Sequence, residues 1–163
     1  MPDHVDRVLS QWAVERPDLD VSAMGVIGRL GRVQRLVDAS LRATFARHDL
    51  DAPSFDVLAT LRRSGDGGLT PAGLMRSGMV TSGAITQRLD RLEERGLVRR
   101  AASDADRRSV VVQLTPAGRE LVDAALPDHV ATEERLLAGL DPAQREQLAS
   151  TLRTLLEHLG DEA

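Results

Sequence analysis

Apolar residues recur at helical spacing through most of the chain, and polar or glycine-containing breaks separate the repeats into helices. The spacing predicts a short helix over residues 3–15, a long helix over residues 22–47 and a third helix capped by Asp51. Three further helix starts are predicted where a capping Thr or Asp precedes proline, at Thr70-Pro71, Thr115-Pro116 and Asp141-Pro142. We expect the helix after Thr115 to last to about residue 138 and the final helix to bury Leu148, Leu152, Leu155, Leu156 and Leu159.

A hairpin pattern interrupts the helices. Thr81-Ser82 predicts the start of a helix over residues 82–95, with Ile85, Leu89 and Leu92 on one face and Gly96 at its end. Two β-branched runs, "LVRRA" and "SVVVQL", follow it and are separated by the polar "ASDADRR". Two short helices joined by a turn and followed by a hairpin are typical of a winged helix-turn-helix. The expected fold class is therefore mainly α with a small β-hairpin wing (α+β), a winged helix-turn-helix with further helices on either side of it along the chain.

The charge distribution supports this interpretation. The net charge is −4 and every basic residue is Arg, yet residues 55–120 hold 11 Arg against 8 Asp and Glu. The rest of the chain is strongly acidic. Because local charge decides where phosphates bind, the predicted winged helix is the segment suited to nucleic acid.

Composition excludes several other classes. The chain has no Cys, and its four His residues show no ligand spacing, so no metal site is expected. No apolar run approaches a membrane span, and the N-terminus lacks the apolar core of a signal peptide, so we expect a cytoplasmic protein. No phosphate loop, nucleophile with its base or pair of catalytic acids is present, and no cofactor or enzyme activity is expected.

The helix over residues 82–95 is the predicted recognition helix, which enters the DNA major groove by its N-terminal half. The face away from Ile85, Leu89 and Leu92 carries Gln87, suited to adenine, and Arg91, suited to guanine or phosphate. Backbone amides at the helix start can hold a phosphate. The predicted DNA-contacting residues of this element are Thr81, Ser82, Gly83, Ala84, Thr86, Gln87 and Arg91.

Two stretches, "SGAITQRLDRLEERGLVRR" and "DADRRSVVVQLTPAG", closely resemble the MarR family of winged-helix transcriptional regulators. The resemblance implies a homodimer that binds a pseudo-palindromic double-stranded operator, and repression that a small ligand relieves. It implies a division into residues 1–50 (dimerisation and ligand pocket), 51–115 (DNA-binding winged helix) and 116–163 (C-terminal dimerisation helices). It also assigns Asp106 and Arg108 to a wing tip in which the acid orients the arginine for the minor groove, with Arg107 facing a phosphate.

The N-terminal stretch "QWAVERPDLD" resembles a subgroup of this family that responds to urate or related aromatic anions. That likeness implies a ligand pocket lined by Trp12, Asp56, Arg88 and Arg100. Arg88 flanks the apolar stripe of its helix, and a partly buried guanidinium needs a partner, for which Asp56 is the candidate. Arg88 is thus either part of a structural salt bridge or a residue shared between ligand and recognition helix, and Trp12 is either core or a stacking surface.

The sequence is also compatible with three functions other than that of a urate-responsive repressor. The first is a MarR-type regulator of a different phenolic ligand, the second a winged helix used only for protein interaction, and the third an architectural DNA-binding protein. Sequence-specific DNA binding with a steep salt dependence would separate the regulators from the other two.

Overall fold

A computed structural model, which describes residues 1–78, 85–102 and 109–161, gives a mainly helical chain with a two-stranded antiparallel hairpin. This confirms the predicted fold class and the predicted order of elements. The elements are α1 (His4–Glu15), α2 (Ser22–Ala46), α3 (Ala52–Arg63), α4 (Pro71–Ser77), α5 (Ile85–Glu94), β1 (Val98–Ala102), β2 (Val110–Leu114), α6 (Pro116–Leu136) and α7 (Pro142–His158).

The predicted N-cap at Thr81-Ser82 lies outside the described residues. The other four predicted N-caps are confirmed in their geometry. In each case an Asp or Thr side-chain oxygen accepts a hydrogen bond from the backbone N–H three residues later. Proline occupies the first or second position of each of these helices, where its missing N–H removes no helical hydrogen bond. The caps are Asp51 to Ser54 (2.7 Å), Thr70 to Gly73 (3.0 Å), Thr115 to Gly118 (3.0 Å) and Asp141 to Gln144 (2.9 Å).

The chain divides into two compact units, Met1–Ala43 and Thr44–Ala163. In the first, α1 approaches α2 closely because glycine faces it, and a Cβ added at Gly28 would lie 3.4 Å from Val5. The Arg29 guanidinium also donates to the carboxylates of Asp3 (2.9 Å) and Asp6 (2.6 Å) at the start of α1. The close approach at Gly28 and the ion pairs of Arg29 therefore hold α1 against α2.

The core of the second unit is built around α3. Buried side chains of α3 meet buried apolar side chains of α5, β2 and α6, and Phe45 of α2, Leu74 of α4 and Val98 of β1 complete this core. The aromatic rings of Phe45 and Phe55 stack with centroids 4.3 Å apart, which joins the end of α2 to α3. The largest fully buried apolar side chains of this core are Val57, Leu58, Leu61, Leu89, Leu92, Val112 and Val122.

The hairpin follows directly from the end of α5. Gly96 has φ +67°, and the Leu97 N–H donates to the Leu92 carbonyl at 2.9 Å, so glycine ends the helix as predicted. β1 and β2 pair antiparallel, and Leu69 bridges to Val112 on the other edge of β2. The hairpin is thereby attached both to the recognition helix and to the loop before α4.

The prediction that the final helix buries its leucines is wrong for the single chain. No residue of α7 is buried, and Leu148, Leu156 and Leu159 are 42%, 47% and 70% exposed. Periodicity identified the apolar face correctly, but the described chain does not cover it. α2 likewise exposes Val26, Ile27, Val33 and Leu36.

Candidate nucleic-acid interface and effector site

The recognition helix α5 has the two faces that the sequence predicts. Ile85, Leu89 and Leu92 are buried against the core, while Thr86, Gln87 and Arg91 are exposed. A helix fixed on its apolar side presents polar donors and acceptors to the solvent at spacings that suit base edges and phosphates. The geometry of this face is compatible with DNA contact by these three residues.

The other predicted DNA contacts lie outside the described residues. They are Thr81, Ser82, Gly83 and Ala84 before α5, and Asp106, Arg107 and Arg108 between the two strands. Ala102 at the end of β1 and Val110 at the start of β2 flank this second segment in the sequence, and they pair with each other.

Asp56 lies beside Gly78, the residue that caps the end of α4. It is half-buried on α3, and a Cβ added at Gly78 would lie 2.9 Å from its Oδ2 atom and 2.9 Å from the Leu74 carbonyl oxygen. Such a distance is too short for a real side chain, so glycine is needed for this close approach. The Asp56 carboxylate therefore packs directly against the C-terminal end of α4.

Arg88 is half-buried, and its Nη1 atom is buried with no hydrogen-bond partner among the described residues. The pairing of Arg88 with Asp56 that the sequence suggested stays a prediction. A buried guanidinium donor without an acceptor costs free energy, so an added acceptor at this atom would be stabilising.

The charge of Arg88 also acts on the carboxylate of Asp51. Burial alone would raise the pKa of Asp51, but hydrogen bonds from Ser54, together with the nearby charges of Arg88 and Arg91, hold that pKa below its usual range. A cleft of about 420 Å³ lies at this junction of α3 and α5. Asp51 was predicted only as a helix cap, because the sequence alone does not show that the start of α3 lies near α5.

Arg100 is engaged by the recognition helix itself. Its Nη2 atom donates to Asp90 Oδ1 at 2.5 Å, its Nη1 atom pairs with Glu93, and its backbone N–H donates to Glu93 Oε1 at 3.0 Å. Asp90 first, and then Glu93, raise the pKa of the Arg100 guanidinium. A ligand that bound Arg100 would have to compete with both carboxylates.

Trp12 lies on α1 in the first unit, whereas Asp56, Arg88 and Arg100 lie in the second. Its side chain is 40% exposed, so it is not a core residue of its unit. A cavity of about 560 Å³ opens between α1 and α2, with an apolar lining and the cations Arg32 and Arg35, but Trp12 does not line it. The exposed indole remains available for stacking.

The described ranges contain neither a metal-binding cluster nor a membrane-spanning helix. In residues 1–78, 85–102 and 109–161, no cluster of three or more His, Asp or Glu side chains could hold a metal ion. Across the same stretches of chain, no helix combines the length and the apolar character needed to span a bilayer.

Comparison with known proteins identifies the family. A model described as the MarR family matches residues 48–109. The HTH-type transcriptional regulator PecS of Dickeya dadantii (strain 3937) is 40% identical over 156 residues, which cover 95% of this chain and 94% of PecS. Such identity across nearly the whole length extends the likeness beyond the winged helix.

Solved structures agree with this result. AbsC, a MarR family transcriptional regulator from Streptomyces coelicolor, has a TM-score of 0.79 at 25% identity and covers 88% of this chain and 98% of its own. BpsR of Bordetella bronchiseptica, whose DNA binding is regulated by 6-hydroxynicotinic acid, has a TM-score of 0.72 at 29% identity and covers 80% of this chain and 91% of its own. These relatives are transcriptional regulators and not enzymes. The chain therefore belongs to the MarR family of winged-helix, DNA-binding transcriptional regulators.

Proposed function

We propose that this chain is a homodimeric repressor that binds a pseudo-palindromic operator and releases it when a small aromatic anion binds. The main support for DNA recognition is the burial pattern of α5, whose apolar face is buried while Thr86, Gln87 and Arg91 are exposed. Its N-terminal half, including Thr81, Ser82, Gly83 and Ala84, enters the major groove. Asp106 orients Arg108 for the minor groove and Arg107 meets a phosphate. Such a repressor acts in the cytoplasm.

The proposed roles of the chain segments follow the domain boundaries that the sequence predicts. Residues 51–115 bind DNA, whereas residues 1–50 and 116–163 join two chains. The exposed apolar residues of α2 and α7 support this, since a monomer rarely leaves such surface in water. A two-fold dimer then presents two recognition helices to half-sites about one helical turn of DNA apart.

Sedimentation equilibrium tests the dimer, and we expect the mass of two chains at micromolar concentration. Leu148→Glu should weaken association about tenfold or more, because a charge would enter an apolar interface. Ser150→Glu adds the same charge roughly 200° around the same helix and serves as the matched control. A monomeric wild type would contradict the dimer, and a Leu148→Glu variant that associates normally would contradict the role of α7.

The proposed effector site uses Trp12, Asp56, Arg88 and Arg100. Its strongest support is the buried Arg88 Nη1 atom, which has no hydrogen-bond partner among the described residues and to which an anionic ligand would supply an acceptor. Arg88 lies on the recognition helix between the DNA-facing residues Gln87 and Arg91, so a ligand that draws it inward shifts the helix. The relative BpsR responds to an aromatic acid. We propose urate as the effector, with a phenolic acid as the alternative.

Thermal unfolding with urate and with salicylate tests this site. At a ligand concentration 100 times Kd, we expect the midpoint to rise by about 5–10 °C with the true effector. Trp12→Ala and Arg88→Gln should abolish the rise, while Arg99→Gln, which removes an exposed arginine, should keep it. Stabilisation by urate that survives both pocket variants would refute the site, and a response to salicylate alone would select the phenolic regulator.

A further inference from the structure

Arg100 joins two elements that are separate along the chain. It belongs to β1, the strand that leads into the wing, while its carboxylate partners Asp90 and Glu93 lie one helical turn apart on α5. Glu93 is held twice, by the backbone N–H and by the guanidinium of the same arginine. This three-point contact restrains both the direction and the rotation of α5 relative to β1.

The side chains of this cluster are partly open to solvent. They are 33% exposed for Arg100, 51% for Asp90 and 37% for Glu93. Exposed ion pairs contribute little to folding stability, so a stabilising role explains the arrangement poorly. A planar guanidinium that engages two carboxylates does give geometric specificity, because its donors point in fixed directions.

We propose that Arg100 is a positioning residue for DNA discrimination. It fixes the orientation of the recognition helix relative to the first strand of the wing. The helix can then make its major-groove contacts, and the wing its minor-groove contacts, on the same operator at the same time. This inference rests on the sequence-specific DNA binding proposed above. It assigns Arg100 an action through Asp90 and Glu93 rather than direct contact with DNA.

The neighbouring Arg99 provides a matched control. It lies on the same strand, is exposed, and points to the opposite face because side chains alternate along a strand. No ion pair among the described residues involves it. Removing either arginine subtracts one positive charge from β1, but among the described ion pairs those of Arg100 alone join β1 to the recognition helix.

The experiment measures affinity for the upstream region of the protein's own gene and for a shuffled duplex, at two salt concentrations. Arg100→Gln should lower the ratio of the two affinities about fivefold or more, Arg100→Lys should recover part of it, and Arg99→Gln should weaken both affinities alike. If Arg100→Gln also weakens both alike, Arg100 supplies only charge and the proposal fails. A wild-type protein that does not distinguish the two duplexes would instead contradict the proposed function.

A double-mutant cycle tests the route of action. In the Arg100→Gln background, Asp90→Asn with Glu93→Gln should cause no further loss of discrimination, since the contact is already broken. Losses that multiply would show that the two sides act independently and would overturn the proposal. Circular dichroism melting of every variant should match the wild type within a few degrees, which confirms that the ratio reports positioning rather than unfolding.

Discussion

Replacing Gly118 with alanine should destabilise the protein by about 3 kcal/mol or more, because the added carbon has no space. A Cβ at Gly118 would lie 1.9 Å from the Leu97 carbonyl oxygen and 2.8 Å from its carbonyl carbon. Both are backbone atoms, so a side-chain rotation cannot relieve the overlap. The same carbonyl accepts a hydrogen bond from the Thr115 N–H at 3.1 Å, and moving it would separate the end of α5 from the start of α6.

Gly31 provides the matched control. It also lies within a helix, but a Cβ added there would meet no atom within 4 Å. Gly31→Ala should therefore be neutral or stabilise the chain by up to about 1 kcal/mol, since alanine favours the helix. Urea unfolding measures both variants, and equal midpoints for Gly118→Ala and Gly31→Ala would contradict the packing described for the α5–α6 junction.

Substitutions on the exposed polar face of α5 should have a large effect on DNA affinity. Gln87→Ala should lower operator affinity about tenfold or more and leave affinity for a shuffled duplex nearly unchanged, because a neutral side chain contributes base recognition but no charge. Arg91→Ala should weaken operator binding and, if it contacts phosphate, should also reduce the salt slope by about one. Both side chains are exposed, so neither substitution removes core contacts.

Glu94→Gln, on the same helix but at its far end, is the control for these variants. It removes a negative charge and should strengthen binding to both duplexes slightly, without a change in their ratio. Gel-shift titrations at a fixed salt concentration measure all three. If Gln87→Ala keeps its full operator preference, α5 does not contact bases through this face.

Local chemistry explains why so much of the fold could be predicted from the sequence. The caps at Asp51, Thr70, Thr115 and Asp141 each need only a side chain three residues before a free N–H, and Gly96 ends α5 through its own positive φ. The hairpin likewise follows from β-branched runs on either side of a polar break. None of these features depends on distant parts of the chain.

Contacts between distant elements could not be predicted in the same way. The charge of Arg88 lowers the pKa of Asp51, which the sequence did not indicate, because the approach of α5 to the start of α3 is a tertiary feature. The attachment of Arg100 to Asp90 and Glu93 was also missed, although the spacing of those two acids places both on neighbouring turns of one helix. The exposed face of α7 was identified as apolar, but periodicity does not say which molecule covers it.

We propose that α5 and the hairpin form a sequence-specific DNA-binding surface. The most direct test compares the wild-type affinity for the upstream region of its own gene with that for a shuffled duplex of equal length and composition, over a range of salt. We expect at least a thousandfold preference for the upstream region and an affinity that falls steeply as salt rises. Equal affinity for the two duplexes, or no binding to either at low salt, would contradict the account.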